Sequence, residues 1–311
     1  MKKYPAFLQA VLALSVLLSV LSSACAGPPR EASAPPHGHL FIVGGGDRDE
    51  PLMRRFVELA AASGTGRIVV FTMASGVPLE VGPETVAEFT ALGAADAVFH
   101  QLTRDEALDP ASVALLDGAG GIWFSGGDQS RLTAALLDTP LHARLDELYR
   151  SGAVIGGTSA GAAVMSGIMI TGDEKRQAGE GREWSTIEAE NVVTARGFGF
   201  LPGAIVDQHF VARRRHNRLL SLVLENPALI GLGIEESTAV LVSPDGRFEV
   251  LGANQVLVYD ARRASMTRTA SGRLGACGMT LHILVPGDVY DPVSGAVTPA
   301  ASASPAKEAA R

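Results

Sequence analysis

Apolar residues along the chain fall into short blocks rather than one long periodic stretch. "HLFIV" (39–43), "RIVVFT" (67–72), "GGIWF" (120–124) and "AVIGGT" (153–158) are runs of strand length, each followed by glycine or small polar residues. Apolar runs without alternation suit strands buried on both faces of a parallel sheet. Between them the spacing changes to threes and fours. Leu52, Phe56, Leu59 and Ala60 share one helical face behind Pro51, and Leu141, Leu145 and Leu148 share another. The second helix opens on Thr139-Pro140, a capping hydroxyl followed by proline in the first turn. Strands alternating with helices predict a mostly parallel sheet covered on both faces. The last third is strand-rich: "TAVLV" (238–242), "RFEVLG" (247–252), "QVLVYD" (255–260) and "MTLHILV" (279–285). The pattern predicts an α/β fold, one doubly wound domain whose C-terminal strands extend or flank the sheet.

In such sheets ligands sit beyond the carboxyl ends of the strands. Three glycine-rich ends fall there, at 44–46, 126–127 and 156–157. No Gly-Lys-Ser/Thr follows Gly44–Gly46 and the G-x-G-x-x-G spacing is absent, which argues against a nucleotide. Residues 156–164, "GGTSAGAAV", instead set one hydroxyl, Ser159, among glycines and alanines directly after a strand. Gly157–Gly161 fit G-x-S-x-G in strand-turn-helix context, the pattern of a nucleophile elbow. The Ala160 N–H, at the start of the next helix, is placed to face an oxyanion.

A nucleophilic serine needs a base within about 3 Å. Among seven histidines, His209 ends the apolar strand "AIVDQHF" (204–210) in a polar triplet at a strand terminus. A carboxylate should fix its tautomer. Glu235-Glu236, between "ALIGLGI" (228–234) and "STAVLV", are candidates, with Asp173 and Glu174 as rivals. Directly after the histidine, "HFVARRRHNRLL" (209–220) carries Arg213, Arg214, Arg215 and Arg218. Guanidinium forks recognise carboxylates bidentately, so this cluster predicts an acidic substrate.

Composition narrows the picture. The 311 residues are 47% hydrophobic and 19% charged, as in a globular protein with a sizeable core. The first 26 differ: Lys2 and Lys3 precede the apolar "AVLALSVLLSVL" (10–21), and "ACA" (24–26) closes the stretch. That is the pattern of a secretory signal, predicting export to the periplasm or outside the cell. "LSSAC" (21–25) is a degenerate lipoprotein box, so membrane attachment would require lipidation at Cys25. Residues 27–37 are expected as a linker, 38–290 as the folded domain and 291–311 as a disordered tail. Without Lys2 and Lys3, 24 basic side chains face 33 acidic ones, a net charge of about −9. This speaks against nucleic acid as a partner. No H-E-x-x-H or Cys/His cluster implies a metal, and no cofactor is expected.

Four blocks together, "SGGDQ" (125–129), "GGTSAGAAVMS" (156–166), "GFLPGAIVDQHFVARRRHNRLL" (199–220) and "GLGIEESTAVLV" (231–242), resemble the cyanophycinase and dipeptidase E group of serine peptidases. The resemblance runs from about residue 38 to 290. It implies a three-layer α/β sandwich of the class I glutamine amidotransferase-like, flavodoxin-like kind. It further implies Ser159 as nucleophile, His209 as base and Glu236 as third member, with Glu174 the alternative acid. Gly127 and Ala160 amides would form the oxyanion hole. Gln129, Asp207, Gln208, Arg213, Arg215 and Arg218 would line the substrate site. The implied substrate is a polymer or dipeptide of Asp and Arg: cyanophycin cut to β-Asp-Arg by an exopeptidase, or aspartyl and isoaspartyl dipeptides. A homodimer is compatible with the group. The segment 171–196 is longer than the group's intracellular members lead one to expect, so the resemblance does not fix the groove's shape.

Overall fold

The computed structural model of the chain describes residues 35–300 apart from 177–178 and 180–182. The expected signal peptide, Cys25, most of the 27–37 linker and residues 301–311 lie outside the described residues. The apolar runs form strands. They are β1 (His39–Val43), β2 (Arg67–Phe71), β3 (Asp96–His100), β4 (Ala119–Phe124), β5 (Val154–Thr158), β6 (Ile168–Glu174), β7 (Val192–Arg196), β8 (Ala204–Gln208) and β9 (Ile230–Ile234). The C-terminal third adds β10 (Thr238–Val242), β11 (Phe248–Gly252), β12 (Val256–Asp260), β13 (Ser265–Arg268), β14 (Leu274–Cys277), β15 (Thr280–Leu284), β16 (Val289–Tyr290) and β17 (Val297–Thr298). The helices are α1 (Glu50–Ala62), α2 (Pro78–Ala91), α3 (Arg104–Leu108), α4 (Gln129–Leu136), α5 (Pro140–Ser151), α6 (Ala160–Ala163) and α7 (His216–Glu225).

The main sheet runs β17-β16-β11-β10-β1-β5-β4-β2-β3. From β1 outward through β5, β4, β2 and β3 every pairing is parallel. On the other side β10, β11, β16 and β17 pair antiparallel. The parallel part is thus the N-terminal half, built from strands joined by helical crossovers. Residues 243–247 are too few for a crossover, so β11 folds back against β10 as a hairpin.

Alternation along each strand divides the core. Leu40 and Ile42 join Leu132, Leu141 and Leu145 from α4 and α5 on one face of the sheet. Phe41 and Val43 join Leu52 and Phe56 of α1 and Phe89 of α2 on the other. This is the expected three-layer arrangement. Beside it a second sheet, β15-β12-β9-β8, carries only one parallel pair, β8 with β9. Its Val206, Leu232 and Val258 enter the main core. Its Ile205, Leu257 and Tyr259 pack instead with Leu219, Leu222 and Val223 of α7. The C-terminal strands therefore both extend the main sheet and flank it.

Strands β6 and β7, at the two ends of the segment 171–196, pair antiparallel with one irregularity in their register. One expectation changes in the structure. The expected tail does not begin at 291: β17 pairs with β16, and the Ala300 N–H donates to Asp288 at 2.8 Å. The sequence "VTPAASASP" looks like a spacer, but Val297 and Thr298 find a strand edge and their backbone groups are paired there.

Candidate active site

The serine is held in a strained turn. β5 is buried throughout, and Ser159 follows it at φ 53° and ψ −106° before α6 begins at Ala160. Such a backbone is uncommon outside glycine and persists only when its surroundings over-determine it. Here the Ser159 N–H donates to Val43 O at 3.0 Å, while Ala162 and Ala163 N–H donate back to Ser159 O, both at 3.0 Å. Gly161 explains the small residues: a Cβ there would lie 2.2 Å from Phe124 O, so anything larger would push α6 off β4.

His209 stands one residue beyond β8 at φ 48°, its N–H donating to Gly44 O at 2.7 Å. Its Nε2 is 2.9 Å from Ser159 Oγ, and its Nδ1 is 2.6 Å from Glu236 Oε1. With a carboxylate at Nδ1, the proton belongs on that nitrogen and Nε2 is left to accept from the serine hydroxyl. Burial pushes the His209 pKa below its ordinary value. Glu236 opposes that shift, and Arg213 and Arg215 reinforce it. The imidazole is accordingly neutral at neutral pH, as a base must be.

The glycine triplet after β1 serves this histidine, which the sequence pattern did not foretell. Gly45 has φ 102°, and a Cβ on it would fall 2.2 Å from His209 Cε1. The adjacent glutamates divide their work. Glu236 meets His209, whereas Glu235, buried, accepts from the N–H groups of Val211 and Ala212, the latter at 3.0 Å, and fixes the turn that follows the histidine. Glu174 accepts instead from Trp184 N–H and Asn191 Nδ2, both at 3.3 Å, within the β6–β7 segment. The carboxylate on His209 is Glu236.

Around Ser159 the expected oxyanion groups are close by. The Ala160 N–H lies in the first turn of α6, where no intrahelical carbonyl can receive it. The turn carrying Gly127 lies against the serine, since a Cβ on Gly126 would sit 3.5 Å from Ser159 Cβ.

The six expected substrate contacts separate into two groups. Gln129 is buried and its Nε2 donates to Ile170 O and Thr171 O at 2.7 and 2.8 Å, tying α4 to β6. Asp207 and Arg218 are 1% and 3% exposed and form a two-pronged pair, Nε to Oδ2 at 2.7 Å and Nη2 to Oδ1 at 2.5 Å. Gln208, also buried, accepts from Arg215. These four are internal supports rather than surface contacts: the two charges are buried against each other, as buried charges must be, and the glutamine side chains bond to internal partners. Arg213 is exposed, and the Arg215 side chain keeps 14% of its surface. Burial, with Arg218 nearby, pushes the Arg215 pKa down to about 10, which leaves it charged at neutral pH. Arg215 is the cap residue of α7, and Arg213 and Arg214 stand before the helix, in the turns of residues 210–215. Among the described residues no group of three His, Cys, Asp or Glu side chains is arranged to hold a metal ion.

A family profile described as "Peptidase family S51" matches residues 41–250, a span that includes Ser159, His209 and Glu236. A protein named cyanophycinase from Geminocystis herdmanii is 34% identical over 262 residues, covering 81% of this chain and 93% of the relative. Another from Trichormus variabilis is 33% identical over 272 residues, covering 84% and 88%. Among solved structures, a peptidase from an acI-B1 Actinobacterium aligns with TM-score 0.61 at 22% identity, covering 82% of this chain and 97% of that one. This last likeness is one of fold.

Proposed function

The chain belongs to peptidase family S51 and is a serine peptidase, and from that premise we propose that it degrades cyanophycin, poly-aspartate with arginine on each β-carboxylate, to β-Asp-Arg dipeptides. The observation that carries the reading is the hydrogen-bonded series Ser159–His209–Glu236 in a chain similar over most of its length to proteins named cyanophycinase.

In this reading Ser159 Oγ attacks the backbone carbonyl while His209 Nε2 takes its proton, and Glu236 stabilises the imidazolium through Nδ1–H. The N–H groups of Gly127 and Ala160 receive the negative charge that develops on the carbonyl oxygen. Nε2–H then protonates the departing amine, and water, deprotonated by the same nitrogen, releases the acyl group from Ser159. Arg213 and Arg215 supply cations for aspartyl carboxylates beside the scissile bond. The signal pattern of residues 1–26 puts this activity outside the cytoplasm, on a released protein or on one anchored at Cys25.

The test is incubation of the purified protein with insoluble cyanophycin, with soluble products followed by mass spectrometry. Wild type should release β-Asp-Arg, and Ser159→Ala should be slower by at least about 10⁴-fold. Cleavage of aspartyl dipeptides without release from the polymer would move the substrate to the smaller class. Undiminished release by Ser159→Ala would remove the serine from the mechanism.

A further inference from the structure

Trp184, in the segment 171–196, reaches the residues beside the site. Trp184 has φ 55° and is held at both ends of its peptide unit: its N–H donates to Glu174 at 3.3 Å, and its carbonyl accepts from Asn217 Nδ2 of α7 at 2.8 Å. Its indole ring lies under Arg218, with the guanidinium carbon 5.4 Å from the ring centroid. That is cation–π distance, and the interaction strengthens when the cation is desolvated, as Arg218 is.

From Arg218 the connection continues inward. Its two prongs hold Asp207, and Nη2 also stands 3.4 Å from Gln208 Oε1. Gln208 receives Arg215 Nη1 twice, at its backbone carbonyl (2.7 Å) and at Oε1 (2.6 Å). Arg215 Nη1 is 3.8 Å from the same Asp207 carboxylate. Two guanidinium groups thus share one acid and one amide, in the two residues immediately before His209. Both Nη1 hydrogens of Arg215 go to Gln208, so Nε and Nη2 carry the donors suited to a carboxylate. Like charges packed this closely keep their places only if each is fixed from another side. For Arg218 that other side is the Trp184 ring.

We infer that Trp184 is a positioning residue for substrate binding: stacked on Arg218, it fixes the Asp207–Gln208 pair that aims the Arg215 guanidinium at an aspartyl carboxylate next to the scissile bond. The inference rests on the cyanophycin reading. It assigns the hairpin segment a role in affinity and none in the proton transfers.

The test compares wild type, Trp184→Leu, which keeps apolar cover without a ring, and Trp184→Phe, which keeps a smaller ring. Steady-state kinetics are measured on a short soluble Asp-Arg oligomer. Labelling of Ser159 by a small fluorophosphonate reports separately whether the Ser159–His209 pair is assembled. KM should rise about tenfold in Trp184→Leu and about twofold in Trp184→Phe. In both, kcat, its pH profile and the labelling rate should stay close to wild type. In an Arg215→Ala background the same changes at Trp184 should add no further rise in KM, because the tryptophan acts through that arginine. An unchanged KM, a fall in kcat at constant KM, or additive effects with Arg215→Ala would each overturn the inference while leaving the substrate reading intact. If Trp184→Leu does not fold, the twofold effect of Trp184→Phe and its disappearance in the Arg215→Ala background decide the matter. A wild type that labels with fluorophosphonate yet does not cut the oligomer would overturn the substrate reading, and this inference with it.

Discussion

Ser159 and His209 both occupy the left-handed region, at φ 53° and 48°, and each is clamped by a backbone hydrogen bond to the β1 end, at Val43 O and Gly44 O. The Ser159–His209 pair is therefore located by the main chain before any side chain is considered. Gly45 completes the clamp by leaving room for the imidazole. Gly45→Ala should keep the fold but drive the ring from its 2.9 Å contact with Ser159. A displacement of that kind costs on the order of 10²-fold in kcat/KM, checked by kinetics beside a thermal melt. The pH profile follows from the same residues. The proposed mechanism needs neutral His209, whose pKa burial holds below 6.5, so kcat/KM should fall only as pH drops through that lowered value. Glu236 raises this pKa and Arg213 lowers it. Glu236→Gln should move the acid limb to lower pH and reduce the plateau. Arg213→Ala should move it to higher pH. Limbs shifting the opposite way in a kcat/KM titration would contradict the assignment.

Elements place these residues by ending where they do. β1, β5, β8 and β9 deliver Gly45, Ser159, His209 and Glu236 at or just past their carboxyl ends, and α7 backs β8 with the Asp207–Arg218 pair. Removing one partner of such a pair leaves an uncompensated buried charge, so Asp207→Ala or Arg218→Ala should cost about 3–5 kcal/mol in urea unfolding. Joint replacement, Asp207→Leu with Arg218→Met, should regain most of that. Much of this scaffold is legible in the chain. The runs of β1, β2, β4, β5 and β8–β12 announce strands, and the strand-turn-helix context of G-x-S-x-G marks the elbow. What the pattern does not carry is partnership. "AIVDQ" and "TAVLV" look equally buried, yet one belongs to the second sheet and the other lies beside β1, because each strand is buried on both faces in its own sheet. "RRRHNR" reads as a set of substrate contacts, yet Arg218 is drawn inside by an acid that stands eleven residues earlier, on another element. Gly44–Gly46 lack the spacing of a phosphate loop, and their purpose shows only when the histidine that follows β8 is seen against them.

At the scale of the molecule, the site is closed by its most distant pieces. β10, which follows directly from Glu236, inserts antiparallel beside β1, the first strand of the fold, and Ser237 N–H donates to Gly45 O at 2.8 Å. No contiguous fragment shorter than residues 44–236 contains Glu236, His209 and the glycine loop that houses them, and β10 must be added to seat them. Hydrolysis and secondary structure should accordingly disappear together in urea, with coincident midpoints by activity and circular dichroism. This arrangement has a consequence for biosynthesis. On the ribosome, the proposed nucleophile Ser159 emerges long before Glu236, and β1 keeps an open edge until β10 is made. A growing or stalled chain is thus a peptidase precursor with the serine in hand and no means to activate it. Cleavage begins only when the polypeptide has closed its own sheet, and the cell that makes the enzyme is spared a partly built one.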